Sequence, residues 1–260
     1  MGRIQKAFEL HKKLFIGFVT AGDPNLEVTK EIVLEMVRAG AGIVELGIPF
    51  SDPVAEGVVI QRADVRALQA GTTTDKIFQL VKELRQEVEG PLVFLTYANP
   101  IFTYGCEKFF AQCEAAGVDG VIVPDIPFEE REELLPFSKP HGVEIISLVA
   151  PTSRDRIKLI AQKAEGYVYL VSSLGVTGVR KNITTDIPAI VAEIRKITTV
   201  PVAVGFGIAE PAQAKAMAKV SDGAIVGSAI VKIVEQYGED APKYVYDYVK
   251  EMVAAVNEAI

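Results

Sequence analysis

Eight short apolar runs recur along the chain: Leu14 to Val19, Ile43 to Leu46, Leu92 to Leu95, Gly120 to Val123, Glu144 to Leu148, Tyr167 to Val171, Val202 to Gly205 and Gly223 to Val226. The stretches between them, such as "EVTKEIVLEMVRAG", "TTDKIFQLVKELRQEVEG" and "PAQAKAMAKVSDG", space their apolar residues at helical intervals and end in glycine, as helix C-caps do. Strands this apolar have no face for water, so the alternation implies a parallel sheet covered by helices. Eight strand–helix units in 260 residues fit a closed (β/α)8 TIM barrel of the α/β class better than an open doubly wound sheet. A faint internal echo agrees: "AGAGIVELGIP" from Ala39 and "AAGVDGVIVPDIP" from Ala115 both run from helix end through glycine and strand to an acid and a proline.

Nothing in the chain reads as a linker, so residues 1–260 are expected to form a single domain. The opening "MGRIQKAFELHKKLF" has no continuous apolar core or small-residue cleavage site. It reads as an extra amphipathic helix before the first strand, and a cytoplasmic location is expected. No apolar run approaches membrane-spanning length. A net charge of −7 without a long basic cluster argues against nucleic-acid or anionic-membrane surfaces, so no such partner is expected. Cys106 and Cys113 lie seven apart in a helical pattern that suits neither a disulfide framework nor a zinc site, and both read as buried helix residues. His11 and His141 lie at polar element ends, so neither a metal centre nor a Ser-His-Asp arrangement is expected. The chemistry is left to carboxylates, hydroxyls and backbone groups.

In such a barrel the active site lies at the C-terminal ends of the strands. The polar and glycine residues there are Thr20 with Asp23, Glu45, Tyr97 with Asn99, Asp125, Tyr169 with Ser172, Gly205 to Gly207, and Gly227 with Ser228. "GFGI" follows the seventh strand, and Gly227 and Ser228 open a helix after the eighth. Free amides at a helix start, with glycines allowing close approach, can hold a phosphate without any Lys or Arg. "GVTG", Gly175 to Gly178, can add amides from the loop after the sixth strand. Each glycine alone is explained by turn geometry; the three sets together favour a phosphate site.

Glu45 sits within an apolar strand. A carboxylate there pairs with a cation, is bonded structurally to backbone amides, or has a raised pKa that lets it give and take a proton. Glu56, in the loop that follows, reads by composition alone as an ordinary solvated acid. Phe18, Leu95, Ile122, Leu148, Tyr169 and Phe206 fall at or near strand ends, where they can line a flat apolar pocket or belong to the core.

"FVTAGDP", "ELGIPFSDP", "YANP", "GVTG", "GFGI" and "GSAIVKIVE" occur in the order and spacing of the tryptophan synthase α subunit, and the resemblance spans nearly the whole chain. It implies a (β/α)8 barrel that cleaves indole-3-glycerol phosphate to indole and glyceraldehyde 3-phosphate without metal or organic cofactor. The indole would pass to a β subunit within an α2β2 heterotetramer. Glu45 matches the family's proton-shuttling glutamate, and Glu56 the acid facing the indole nitrogen. Tyr169 matches a tyrosine near the glycerol chain, Thr177 a lid threonine, and Phe18 and Leu95 residues that enclose the indole. Gly178, Phe206, Gly207, Gly227 and Ser228 match the phosphate-binding positions, and Asp52, Pro53 and Asn99 the face toward the β subunit.

One departure stands out. The family loop reads Asp-Gly-Pro where this chain has Glu56-Gly57-Val58, which implies a longer acid on a less pre-organised loop, mobile until the lid closes. Two variant readings stay open: a stand-alone indole-releasing lyase with the same chemistry and, motivated by Glu56 and Val58, a weakly active subunit that mainly regulates β. A different phosphate-binding isomerase or aldolase is a further reading, without a Schiff-base lysine at any strand end.

Overall fold

The computed structural model describes residues 1–151, 154–172 and 186–259. Eight strands, β1 (Leu14–Thr20), β2 (Ile43–Gly47), β3 (Leu92–Leu95), β4 (Gly120–Ile122), β5 (Glu144–Val149), β6 (Glu165–Val171), β7 (Val202–Gly205) and β8 (Gly223–Val226), pair in sequence order as a closed parallel barrel. Closure is made by β1 against β8, with Leu14 opposite Gly223 and Gly17 opposite Val226. The expected strands match these within one or two residues at either end.

Alternation along each strand separates two apolar layers. Ile16, Ile43, Val93, Ile122, Ile146, Tyr167, Tyr169, Ala203 and Ile225 fill the barrel interior. Their sequence neighbours Phe15, Val44, Leu46, Phe94 and Val121 point outward to the helices. Period 2 in a twice-covered sheet produces this division, because adjacent side chains leave opposite faces. Glu45 has the parity of Ile43 and Gly47, so it belongs to the interior set.

Three helices matter most for the site. Helix α1 (Arg3–Leu10) lies across the N-terminal end of the barrel and packs Ile4, Ala7 and Phe8 with the interior cluster, as its amphipathic pattern implied. Helix α2 (Leu26–Arg38) has Asn25 as its N-cap, accepting from the Val28 N–H at 2.8 Å, and buries Ile32, Val33 and Met36 on the outer layer. Helix α3 (Val58–Gln69) starts at Gly57, so Val58 occupies the first helical position. Proline is tolerated there because that N–H has no partner within the helix, so a valine costs no backbone hydrogen bond.

One expectation needs correction. Cys113 is buried as expected, but Cys106 is only half-buried at the start of the helix Cys106–Ala116. His11 is the C-cap of α1, and His141 pairs with Glu114 at 2.7 Å on the surface; neither lines the cleft described below. No helix among the described residues is long and apolar enough to cross a membrane.

The role of α1 as a plug is testable. Ile4→Ala is expected to lower the urea-unfolding free energy by about 2–4 kcal/mol, since it empties a fully buried site. Glu9→Ala on the exposed face of the same helix should change it by less than about 0.5 kcal/mol.

Candidate active site at the barrel mouth

Glu45 is 1% exposed. Its surroundings are apolar, so burial is the largest influence and pushes its carboxyl up to about 7, with the nearby Glu56 charge adding to the rise. Opposing both, the Tyr167 hydroxyl donates to Glu45 Oε1 at 2.6 Å. No cation pairs with Glu45 among the described residues. Of the alternatives open in the sequence, the carboxyl is raised and, among the described residues, bonded to a side-chain hydroxyl, not to a cation or backbone amides. Nothing in the sequence marks Tyr167 as a site residue. Its parity with Tyr169 puts it inside the barrel, but its meeting with a residue 122 positions away is visible only in three dimensions.

Glu56 is 3% exposed, so the solvated-acid reading of its composition is wrong. The loop turns back on itself, with Glu56 N–H donating to the Pro53 carbonyl at 3.1 Å. Gln61 Nε2 donates to the Glu56 carbonyl at 2.7 Å. The Tyr97 hydroxyl accepts from Ala55 N–H at 3.1 Å and donates to Glu56 Oε1 at 3.5 Å, which ties the loop to the end of β3. Tyr97 stood among the strand-end residues but carried no role in the sequence.

Tyr169 comes within electrostatic reach of both acids, and burial first, then their charges, hold its hydroxyl well above its usual range. It can pack there only because residue 205 is glycine: a Cβ at Gly205 would lie 2.5 Å from Tyr169 Oη. Phe206 adopts φ 74°, unusual for a residue with a side chain, and its ring meets Tyr169 edge-on at 6.1 Å. The Phe206 carbonyl accepts from the Ser172 hydroxyl, which helps hold this turn. Gly207 follows at φ 82°, and Gly227 caps the helix Ser228–Tyr237, whose first amides have no intrahelical acceptor.

A cleft partly open to solvent gathers these groups. Phe18, Glu45, Glu56, Leu95, Tyr169, Phe206, Gly207, Gly227 and Ser228 all line it, together with Leu148. Ile122 does not; it lies fully buried deeper in the barrel. Thr177 and Gly178 lie outside the described residues. Asp52 and Asn99 are exposed beside the mouth, whereas Pro53 is buried in the isolated chain and offers no surface. Among the described residues, no three His, Cys, Asp or Glu side chains are grouped to hold a metal.

A parallel barrel with two buried carboxyls in an apolar mouth, beside open amides at a helix start, defines a class: a barrel enzyme whose mouth offers carboxyls suited to proton transfer and amides suited to an anion. Comparison with known proteins gives the particular family. Residues 4–260 match the family model described as tryptophan synthase alpha chain. The alpha chain of Lactiplantibacillus plantarum is 50% identical over 251 residues, covering 96% of this chain and 94% of that one. The Legionella pneumophila alpha chain superposes with a TM-score of 0.90 at 35% identity, over 99% of this chain and 98% of that one. A chain of Mycobacterium tuberculosis tryptophan synthase gives 0.89 at 31% identity, with 98% of both covered. The chain belongs to the tryptophan synthase alpha chain family, and its reaction is that family's lyase reaction, cleavage of indole-3-glycerol phosphate.

The raised carboxyl of Glu45 has a consequence for stability. Folded, it binds its proton up to about 7; unfolded, it does so near 4.5. Its contribution is therefore fully present below pH 4.5 and is lost as pH rises through 7. Glu45→Gln removes this term. At alkaline pH the variant is expected to exceed the wild type in unfolding free energy by up to about 3 kcal/mol. Below the ordinary carboxyl range the two should converge. Asp64 and Glu144 are raised in the same direction and are common to both proteins, so urea unfolding at the two pH extremes isolates Glu45.

Proposed function

We propose that Glu45 carries the protons of the cleavage and that Glu56 provides the negative charge opposite the indole nitrogen. The observation that carries this reading is one carboxyl with its proton poised near neutrality in the same cleft as a second buried acid. A group poised near the working pH transfers protons efficiently in both directions. Glu45 in its acid form gives a proton to C3 of the indole, which makes the ring nitrogen cationic, and the Glu56 carboxylate stabilises that charge. The Glu45 carboxylate then takes the proton of the adjacent side-chain hydroxyl. The C3–carbon bond breaks, its electron pair returns to the ring, and the oxygen becomes the aldehyde of glyceraldehyde 3-phosphate. One proton is given and one recovered, so Glu45 ends as it began.

Phe18, Leu95 and Tyr169 enclose the indole and glycerol portions in this reading. The phosphate is held by Gly207, Gly227 and Ser228 with the turn at Phe206, where amides at a helix start favour an anion in an otherwise acidic protein. Thr177 and Gly178 are assigned the lid and phosphate roles that the resemblance implies. A single domain in the cytoplasm is part of the same proposal.

As an alpha chain the protein works with a β subunit, and we assign it an α2β2 heterotetramer. Asp52 and Asn99 are exposed at the mouth, and the apolar Val54, Val58 and Phe102 are exposed on the same two segments, which the Tyr97 contacts to Ala55 and Phe50 hold together. Such a patch suits a partner surface. A stand-alone lyase and a mainly regulatory subunit are not favoured, since the relatives are alpha chains of matching length and both acids are buried in one cleft.

Steady-state indole release from indole-3-glycerol phosphate, with and without β subunit, tests the proposal. Glu45→Gln should lose at least about a hundredfold in rate while remaining folded; near-normal release by that variant would overturn the shuttle assignment. For Glu56, single-turnover release should fall about a hundredfold or more in Glu56→Gln and much less in Glu56→Asp, because charge matters more than reach. Equal, near-wild-type rates in both would make Glu56 a spectator.

A further inference from the structure

We infer that Gln213 and Tyr248 are positioning residues of this lyase: together they clamp both backbone groups of Ala209 and so hold the turn at Phe206 and Gly207 in the form that offers its amides to the substrate phosphate. The inference rests on the phosphate assignment above and extends it to two residues outside the lining of the cleft.

The turn after β7 needs such support. Phe206 sits at φ 74°, in the left-handed region that a Cβ disfavours, and Gly207 follows at φ 82°. A residue with a side chain stays in that region only where its surroundings over-determine it. Ser172 secures the near side by donating its hydroxyl to the Phe206 carbonyl. On the far side the chain runs through Ile208, buried in the cleft wall, to Ala209. There Gln213 Oε1 accepts from the Ala209 N–H at 2.9 Å and from the Glu210 N–H at 3.1 Å. The Tyr248 hydroxyl donates to the Ala209 carbonyl at 2.8 Å. Ala209 therefore has its donor and its acceptor held by side chains from two different helices, Pro211–Val220 and Ala241–Asn257.

Helix capping explains only part of this. Gln213 is the third residue of its helix, and its return to the Glu210 N–H completes an ordinary capping box. That box requires neither the bond to Ala209, one residue further out, nor Tyr248, which lies 39 positions from Ala209. Tyr248 is also delivered from a firm base, since its helix neighbours Val245, Val249 and Met252 are buried in the outer apolar layer. The consequence is directional. A backbone amide holds an anion only when its N–H is aimed at it, and the bond weakens steeply as the angle closes. With Ala209 released, Phe206 is free to relax toward a commoner φ, which rotates the peptide between Phe206 and Gly207 and turns the Gly207 amide off the phosphate. Phe18 and Leu95 reach the cleft from β1 and β3, so the walls assigned to the indole do not depend on this clamp.

The test titrates the full chain with two probes: glycerol 3-phosphate, which has the phosphate and no ring, and indole, which has the ring and no phosphate. Tyr248→Phe keeps the ring packing and loses one hydrogen bond, so glycerol 3-phosphate should bind about threefold to tenfold more weakly. Gln213→Leu loses two, and the loss should be about tenfold or more. Indole affinity should change by less than about twofold in both variants, as for a site that does not share these contacts. In cleavage with the β subunit present, KM should rise with the glycerol 3-phosphate dissociation constant while kcat stays within about twofold. Tyr244→Phe, on the same helix with its ring stacked on Tyr237, is the control and should change neither ligand. Unchanged glycerol 3-phosphate affinity in folded Tyr248→Phe overturns the inference, and so does an equal loss for both probes, the mark of a merely structural role. Where Gln213→Leu fails to fold, Tyr248→Phe decides alone. A wild type that binds glycerol 3-phosphate no better than glycerol overturns the phosphate assignment itself, so the two failures are distinguishable.

Discussion

Burial of the Glu45 carboxyl is the constraint around which the rest of the site is arranged. A carboxyl at an ordinary pKa gives up its proton too early to act as an acid at neutrality, and removal from water raises it without any special chemistry. The closed barrel supplies that removal: Glu45 shares an interior layer with Ile43 below it, and the β2 strand is flanked by Phe18 on β1 and Val93 on β3. The Tyr167 hydroxyl then limits the rise and fixes one oxygen, leaving the group both poised and oriented. Desolvation alone would give a neutral acid of uncertain direction; the single short hydrogen bond gives it a geometry.

Close packing at the mouth follows from a few glycines. Gly47 admits the Phe18 ring, since a Cβ there would come within 2.6 Å of Phe18 Cζ, and Gly205 admits Tyr169 in the same way. The flat apolar walls of the cleft therefore depend on missing side chains as much as on aromatic ones. The corner at the ends of β7 and β8 uses the same economy of atoms. The turn from Phe206 to Gly207 runs at positive φ, and the helix after Gly227 presents amides, an arrangement suited to an anion without adding a cation to an acidic protein.

The loop after β2 shows how one substitution is absorbed. Glu56 is longer than the acid usual in the family, yet it is drawn in by Pro53, Gln61 and Tyr97 and ends buried in the cleft. Val58 takes the first position of α3, where the missing proline costs no backbone bond. The loop is also tied by contacts made outside its own sequence, to Tyr97.

By itself the sequence determined the strand order, the parity that turns Glu45 inward, the amphipathic helix before the first strand, and the glycines and serine at the ends of the last two strands. Each of these is a local matter of period, capping or turn chemistry. Only the tertiary structure decided what Glu45 touches, that Glu56 is buried, that Ile122 is core and not pocket, and that Pro53 is covered. These depend on barrel closure, which brings Tyr167 to Glu45 across 122 residues and Tyr97 to Glu56 across 41. A carboxyl's burial and proton affinity are set by neighbours from other strands, and composition and period carry no record of who those neighbours are.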